Sequence, residues 1–199
     1  MARGRPRLFD KDEALERAMD VFWLRGYDGA SMSDLAQAMA LNPPSIYAAF
    51  GSKEGLFLAA IEKYRETGAG GIWSVLDSDA DARSVAEHVL RRTADTFTRT
   101  TPPRGCMIVL TALETESAHP DVCAVLERYR KENARRLEAR FRQARETGEL
   151  PADTDCAALA DFVVTVQHGM SIQARDGTGR DRLHAIVDIA LKAWPRKTD

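Results

Sequence analysis

The sequence predicts an all-α protein: a three-helix N-terminal unit followed by a larger helical domain. Three observations carry this. Apolar residues recur at helical spacing almost throughout, and no stretch alternates convincingly as a strand. The chain of 199 residues, 44% apolar, is long enough to bury a full core. Within SMSDLAQAMALNPPSIYAAFGSKEGL, residues 31 to 56, three helix starts follow one another closely.

In chain order, Asp10 caps a first helix with Leu15, Ala18, Met19 and Phe22 on one face, and Gly26 stops it. Ser31 with Asp34 three residues on forms a capping box for a short helix that turns Leu35, Ala36 and Met39 inward. Asn42 before Pro43 is a second start, because proline at the first helical position gives up an N–H that has no partner there anyway. Ser52 before Lys53 and Glu54 is the third, opening a helix through Phe57, Ile61 and Tyr64 that Gly68, Gly70 and Gly71 should end. That glycine cluster is the expected domain boundary, with a looser segment up to Asp81. Ala82 to Arg99 then reads as a helix with Val85, Val89, Leu90 and Phe97 inward, and Thr101-Pro102-Pro103 breaks it. Gly105 to Leu113 is short and strongly apolar, hence buried on several sides. Pro120 opens a long charged helix to about Thr147, with a narrow stripe at Val122, Leu126, Tyr129, Leu137 and Phe141. Gly148 ends it, and Asp153 is the expected cap of the next, whose run through Leu159, Ala160, Phe162, Val163, Val164 and Val166 is apolar most of the way round. The last helix starts near Arg180, carries Leu183, Ile186, Val187, Ala190, Leu191 and Trp194, and stops at Pro195. The organisation expected is a flexible basic arm (1–9), a helix-turn-helix unit (10–66) and a helical ligand-binding and dimerisation domain (72–199).

Composition excludes several classes. The formal net charge is −2, and residues 1 to 66 hold nine Lys and Arg against ten Asp and Glu, so bulk electrostatics do not draw the chain to an anionic partner. The arm MARGRPR is the exception, with Arg3, Arg5 and Arg7 and no acid. Three well-separated cysteines do not make a disulfide scaffold and fit a reducing cytoplasm. No apolar run approaches the roughly 18 residues that span a bilayer, and no signal-peptide core is present, so a cytoplasmic protein without membrane partners is expected. His88, His168 and His184 lack a triad-like context, and no glycine-rich phosphate loop occurs, so neither an enzyme nor a cofactor is expected. His119 and Cys123 have a workable metal-ligand spacing, but Pro120 stands between them and no third ligand is evident; no metal is assigned.

The middle helix of the triplet points to double-stranded DNA. A helix of about two turns is marginal alone, so its neighbours must hold it and its outer face is free to read something. It presents Pro43, Pro44, Ser45, Tyr47, Ala48 and Ala49, with Ile46 and Phe50 facing inward. Small residues let a backbone approach base edges, Ala48 or Ala49 can meet a thymine methyl, and Ser45 can pair with base or phosphate. Tyr47 is long enough to reach a phosphate oxygen. Lys53 sits at a helix N-terminus, where a cation is unfavourable unless a phosphate shares the site. Taken singly, Tyr47 could equally be a half-buried core residue and Lys53 a solvated charge. Ser31, Ser33 and Asn42 complete the candidate DNA-facing set, and the arm's arginines can enter an adjacent minor groove or lie along phosphates.

Residues 10 to 57 resemble the N-terminal domain of the TetR family of bacterial transcriptional regulators. The match runs through Ala14, Phe22, Gly26, Tyr27, Ser31 and the block IYAAFGSKEGLF, from Ile46 to Phe57. Two departures stand out: Ala49 where the family often has histidine, and Pro43-Pro44 in place of a basic residue plus glycine. The resemblance implies about nine helices, the second and third forming the helix-turn-helix, and a dimer on a palindromic operator, most often as a repressor. It also implies a small effector in the C-terminal domain that shifts the dimer away from the spacing DNA requires.

A dimer follows from physics too, since one short helix touches too few bases and a two-fold pair doubles the readout. The last two helices are the expected surface, forming a four-helix bundle with their symmetry mates; Phe162, Val166, Ile186, Val187 and Leu191 are the candidates, some facing the partner and some the monomer core. Candidate ligand-pocket residues are Trp73, Phe97, Met107, Leu110 and Thr111, with Phe162, Gln167, His168 and Met170 from the next-to-last helix. Residues of these types are more often plain core than ligand wall. Such a lining suits a hydrophobic or aromatic compound. Cys106 admits two readings: a sensor thiol whose pKa a helix start and Arg104 lower, or a buried small hydrophobe. Two rivals to the regulator are a helical enzyme, which would need a clustered acid–base or metal set, and a protein-binding adaptor that kept the fold.

Overall fold

A computed structural model describes residues 9–100, 104–114 and 119–196, and all regular structure among them is helical. The elements are α1 (Lys11–Gly29), α2 (Met32–Met39), α3 (Pro43–Phe50) and α4 (Lys53–Tyr64), then a π-helical turn (Arg65–Ala69), α5 (Gly70–Trp73) and a 3₁₀ turn (Ser74–Asp77). There follow α6 (Ala82–Phe97), α7 (Met107–Glu114), α8 (Pro120–Glu146), α9 (Cys156–Arg175) and α10 (Arg180–Lys192). Ten α-helices are thus described where nine were expected, the extra one being the four-residue α5.

The predicted caps at Asp10, Ser31, Asn42 and Ser52 all form. Asp10 accepts from the N–H groups of Asp12 and Glu13, and Ser31 and Asp34 bond reciprocally as a capping box. Gly26 breaks α1 with a φ of 69°, a conformation that a Cβ would strain. Two expectations fail. The Gly68–Gly71 cluster does not end the helical path: the extra residue is absorbed as a π turn, and helix resumes as α5. The cap of α9 is Asp155 rather than Asp153; its carboxylate accepts from the N–H groups of Ala157 and Ala158, because Pro151 and the following turn carry Asp153 past before the helix begins.

The N-terminal unit is built round an aromatic cluster. Phe22 lies edge-on to Phe57 at 5.1 Å, Tyr27 also meets Phe57 at 5.1 Å, and Trp23 meets Tyr64 at 5.0 Å. Such pairs add about 1 kcal/mol each beyond the area they bury. α1 packs on α2, α4 and α7, so the first helix belongs to both halves of the molecule. In the second half α9 lies between α8 and α6, with α10 on the α6 side. Polar links fasten the two halves: Trp23 Nε1 donates to the Gly105 carbonyl at 3.1 Å, Arg175 to the Leu24 carbonyl at 3.2 Å, and Arg104 pairs with Asp20.

On α9 and α10, Val187 is fully buried and Leu191 nearly so, which places both in the monomer core rather than on a partner. Phe162 and Ile189 stand out instead, 39% and 67% exposed, with Val166 and Ile186 partly covered. Ile189, which was not among the sequence candidates, is the most exposed apolar residue of α10.

Candidate nucleic-acid interface and ligand cavity

α3 is held from below by one fully buried residue, Ile46, and at its two ends by caps. Asn42 Oδ1 accepts the Ser45 N–H at 2.9 Å, and Gly51 N–H returns to the Tyr47 carbonyl at 2.8 Å. The turn from α2 into α3 runs through Ala40 in the left-handed region, φ 54°, the one non-glycine residue there among those described. Its N–H reaches back to the Ala36 and Gln37 carbonyls, and that closing bond stabilises the strained residue.

The outer face of α3 is as expected. Pro43, Pro44, Tyr47 and Ala48 are exposed, Tyr47 by 45%, and Ser45 and Ala49 are half-buried at its edges. Ser31, Ser33 and Asn42 are exposed as well, in α2 and the turns that flank it. Arg3, Arg5 and Arg7 lie outside the described residues. Lys53 is partly buried, its Nζ 4.5 Å from the centre of the Tyr27 ring, and loss of water lowers its pKa while nearby Asp28 raises it. The Tyr27 face thus fixes the ammonium at the first turn of α4. Lys11 was missed: its Nζ stands 4.9 Å over the Phe50 ring, bringing a second cation from the start of α1 to the end of α3. Only the fold could show this, because Lys11 and Phe50 are remote in sequence.

α4 can begin where it does because residue 55 is glycine. A Cβ there would lie 2.2 Å from the Phe50 carbonyl oxygen, so the last turn of α3 and the first of α4 touch backbone to backbone.

The second half holds a cavity of about 250 Å³ between α5, α7, α8 and α9. It is smaller than the usual drug-sized pocket. Of the predicted lining, Trp73, Gln167 and His168 are there, and Cys106 joins them. Phe97, Met107, Leu110, Thr111 and Met170 are packed into the core and do not line it. Phe162 is on the outer surface, by a shallow groove near Ala193. The sequence pattern marks burial, and burial alone does not tell core from cavity wall.

The missed residues are charged: Arg65, Asp77, Arg130 and Arg136, with Asn133 beside them. Arg65 pairs with Glu62 at 2.9 Å and lies over Tyr129, its guanidinium carbon 4.0 Å from the ring centre. Arg136 pairs with Asp77 at 2.9 Å. Arg130, Asn133 and Arg136 belong to the long charged α8, while Arg65 of the π turn and Asp77 of the 3₁₀ turn come from the other wall.

Of the two readings of Cys106, the geometry favours the buried small hydrophobe. Its thiol is buried, which pushes its pKa up, and Arg104 is engaged with Asp20 instead. Its backbone N–H donates to Ser171 Oγ at 2.7 Å. Gly105 before it, at φ 66°, leaves no room for a Cβ, which would come 2.5 Å from the Ser171 carbonyl oxygen. His119 packs edge-on against Tyr27 at 4.7 Å and sits 3.2 Å from Asp28, and no cluster of three metal-ligating side chains occurs among the described residues.

Burial, then the positive charge of Arg130, lower the pKa of His168 from 6.5 to about 4. The unfolded chain therefore binds the extra proton first. Folding stability should fall as pH drops from about 6.5 towards 4, by about 3 kcal/mol from this residue and about 2 kcal/mol of it by pH 5, and be unaffected by it above that window. Chemical denaturation at pH 7 and pH 5 checks this: His168→Gln should lose less stability on acidification than the wild type.

A short, capped helix with an exposed outer face on a three-helix support, joined to a helical domain with a partly open cavity, is the architecture of helix-turn-helix transcriptional regulators. Residues 14–60 match the family of bacterial regulatory proteins designated tetR, and residues 83–187 match the tetracyclin repressor-like C-terminal domain. The chain belongs to the TetR family: it is a DNA-binding transcriptional regulator and not an enzyme. It is similar to the HTH-type transcriptional repressor ComR of Escherichia coli K12, 32% identical over 195 residues that cover 98% of this chain and 93% of ComR. The repressor BdcR of the same organism is 30% identical, over 96% of this chain and 91% of BdcR. Among solved structures, a cysteine mutant of the TetR family regulator CifR, complexed with 26-base-pair double-strand operator DNA, superposes with a TM-score of 0.90. It is 48% identical, over 96% of this chain and all of the CifR chain.

Proposed function

We propose that this regulator is a cytoplasmic repressor that binds a palindromic operator as a homodimer and leaves it when a small molecule fills the cavity. The exposed face of α3 carries the reading: Tyr47, Ala48 and the two prolines face outward on a helix with only one fully buried residue, Ile46. The similarity to CifR, solved on operator DNA, supports it. Residues 10–66 act as the DNA-binding unit and 72–199 as the effector and dimer domain, and the partner packs on the exposed apolar strip of Phe162, Val166, Ile186 and Ile189. Lys53, fixed over Tyr27, meets a phosphate that shares the N-terminus of α4, and Ser45 and Ala49 reach base edges.

A path from cavity to reader exists in the side chains. Tyr129 of α8 donates to Glu62 of α4, Arg65 bridges Glu62 and the Tyr129 face, and Gly105, beside the cavity residue Cys106, holds Trp23 of α1. A ligand with different affinity for two positions of these groups would shift α4 and α1, and with them the spacing of the two reader helices.

Binding of the purified chain to the DNA upstream of its own gene, measured by gel shift across a salt series, tests the reading. Lys53→Ala is expected to weaken binding about tenfold for every sequence alike and to flatten the salt dependence by roughly one unit of slope. Unchanged affinity would remove Lys53 from the phosphate contact. Absence of any salt-sensitive shift would favour the adaptor instead.

A further inference from the structure

Among the described residues, the cavity holds one cation that forms no salt bridge of its own. Arg130 projects from α8 into the cavity wall, and its Nη1 is buried without a hydrogen-bond partner. The nearby acids are taken: Asp77 by Arg136, Glu62 by Arg65, and Glu127 by Lys131. Loss of water lowers the Arg130 pKa while the charge of Glu127 on the same helix raises it, so burial is only partly offset, and neutral His168 beside it adds no counter-charge. Asn133 and Gln167 add amide groups that can donate alongside it. Across from these stand Ile72, Trp73 and Val109, an apolar wall with one flat aromatic face.

We propose that the cavity takes a small monocarboxylate, its carboxylate paired with the Arg130 guanidinium and its apolar body against Trp73, Ile72 and Val109. A planar guanidinium fork matches a carboxylate, and the ion pair would satisfy the orphaned Nη1. A volume of about 250 Å³ admits a single ring or a short chain. This narrows the hydrophobic or aromatic compound that the sequence suggests to an acid with such a body. It rests on the cavity being the effector site, and the test separates the two.

Isothermal titration calorimetry of the full chain at neutral pH would compare benzoate, phenylacetate and hexanoate with benzamide, phenylacetamide and hexanamide. At least one acid should bind roughly 10- to 100-fold tighter than its own amide. Arg130→Met should bring that ratio close to one, and Arg130→Lys, which keeps the charge but loses the fork, should restore part of it. Circular dichroism and operator affinity without ligand show whether each variant is folded; should Arg130→Met fail to fold, the wild-type acid-to-amide ratio and Arg130→Lys decide. Equal binding of acids and amides, a preference that survives in Arg130→Met, or no binding by any of the acids overturns the proposal. Gel shifts with the same acids report on the other reading: an acid bound through Arg130 that does not release operator DNA leaves the ligand class standing and removes the effector role.

Discussion

Gly55→Ala is expected to lower the stability of the chain by about 2–3 kcal/mol and to abolish tight operator binding in the same variant. The added methyl would stand 2.2 Å from the Phe50 carbonyl oxygen, well inside contact distance, and that oxygen belongs to backbone that cannot rotate aside. Relief requires α4 to move away from α3. Yet α4 carries Leu56, Phe57, Ala60 and Ile61 into the core, so the movement opens the aromatic cluster or tilts α3 off its seat on Ile46. Thermal unfolding and gel shift read the two consequences. Gly71→Ala is the control: its Cβ would meet only the Arg92 guanidinium end at 3.4 Å, a flexible side chain, and stability should stay within about 1 kcal/mol of wild type.

Tyr47→Ala should do the opposite, leaving stability nearly unchanged while reducing operator affinity roughly 10- to 100-fold. The side chain is 45% exposed and forms no ring contact or side-chain hydrogen bond among the described residues, so its removal leaves no cavity in the core. The expected loss follows from the proposed phosphate contact, since a hydrogen bond to a charged group contributes about 1.5–3 kcal/mol. Tyr47→Phe, which removes only the hydroxyl, should account for most of that loss. Because a phosphate carries no sequence information, both variants should weaken cognate and scrambled sites by similar factors in competition gel shifts. A Tyr47→Ala protein that melted several degrees lower would mark the residue as core and end this reading.

The helix-turn-helix was legible because its signals are local. Ser31 and Asp34, Asn42 and Pro43, and Ser52 satisfy backbone groups within three residues of themselves, and such bonds do not depend on the rest of the fold. The cap at Asp155 was misplaced by two residues for the complementary reason: Asp153 and Asp155 both suit a cap, and the turn after Pro151 chose between them. The glycines at 68, 70 and 71 looked like a stop because glycine disfavours helix by about 1 kcal/mol each. Packing of α5 against α6 outweighs that preference, and the chain continues through a π turn.

The sequence by itself determined the fold class, the reader helix and the family, all written in short-range caps, spacing and one dense motif. The tertiary structure alone decided which buried residues wall a cavity and which fill the core. It also set the partner of each charge, since Lys53 with Tyr27, Lys11 with Phe50 and Arg65 with Tyr129 are pairs between separate helices. Hydrophobic periodicity records only that a side chain leaves water. Whether it then meets another side chain, an empty space or an unpaired guanidinium depends on how helices far apart in the chain come to lie together.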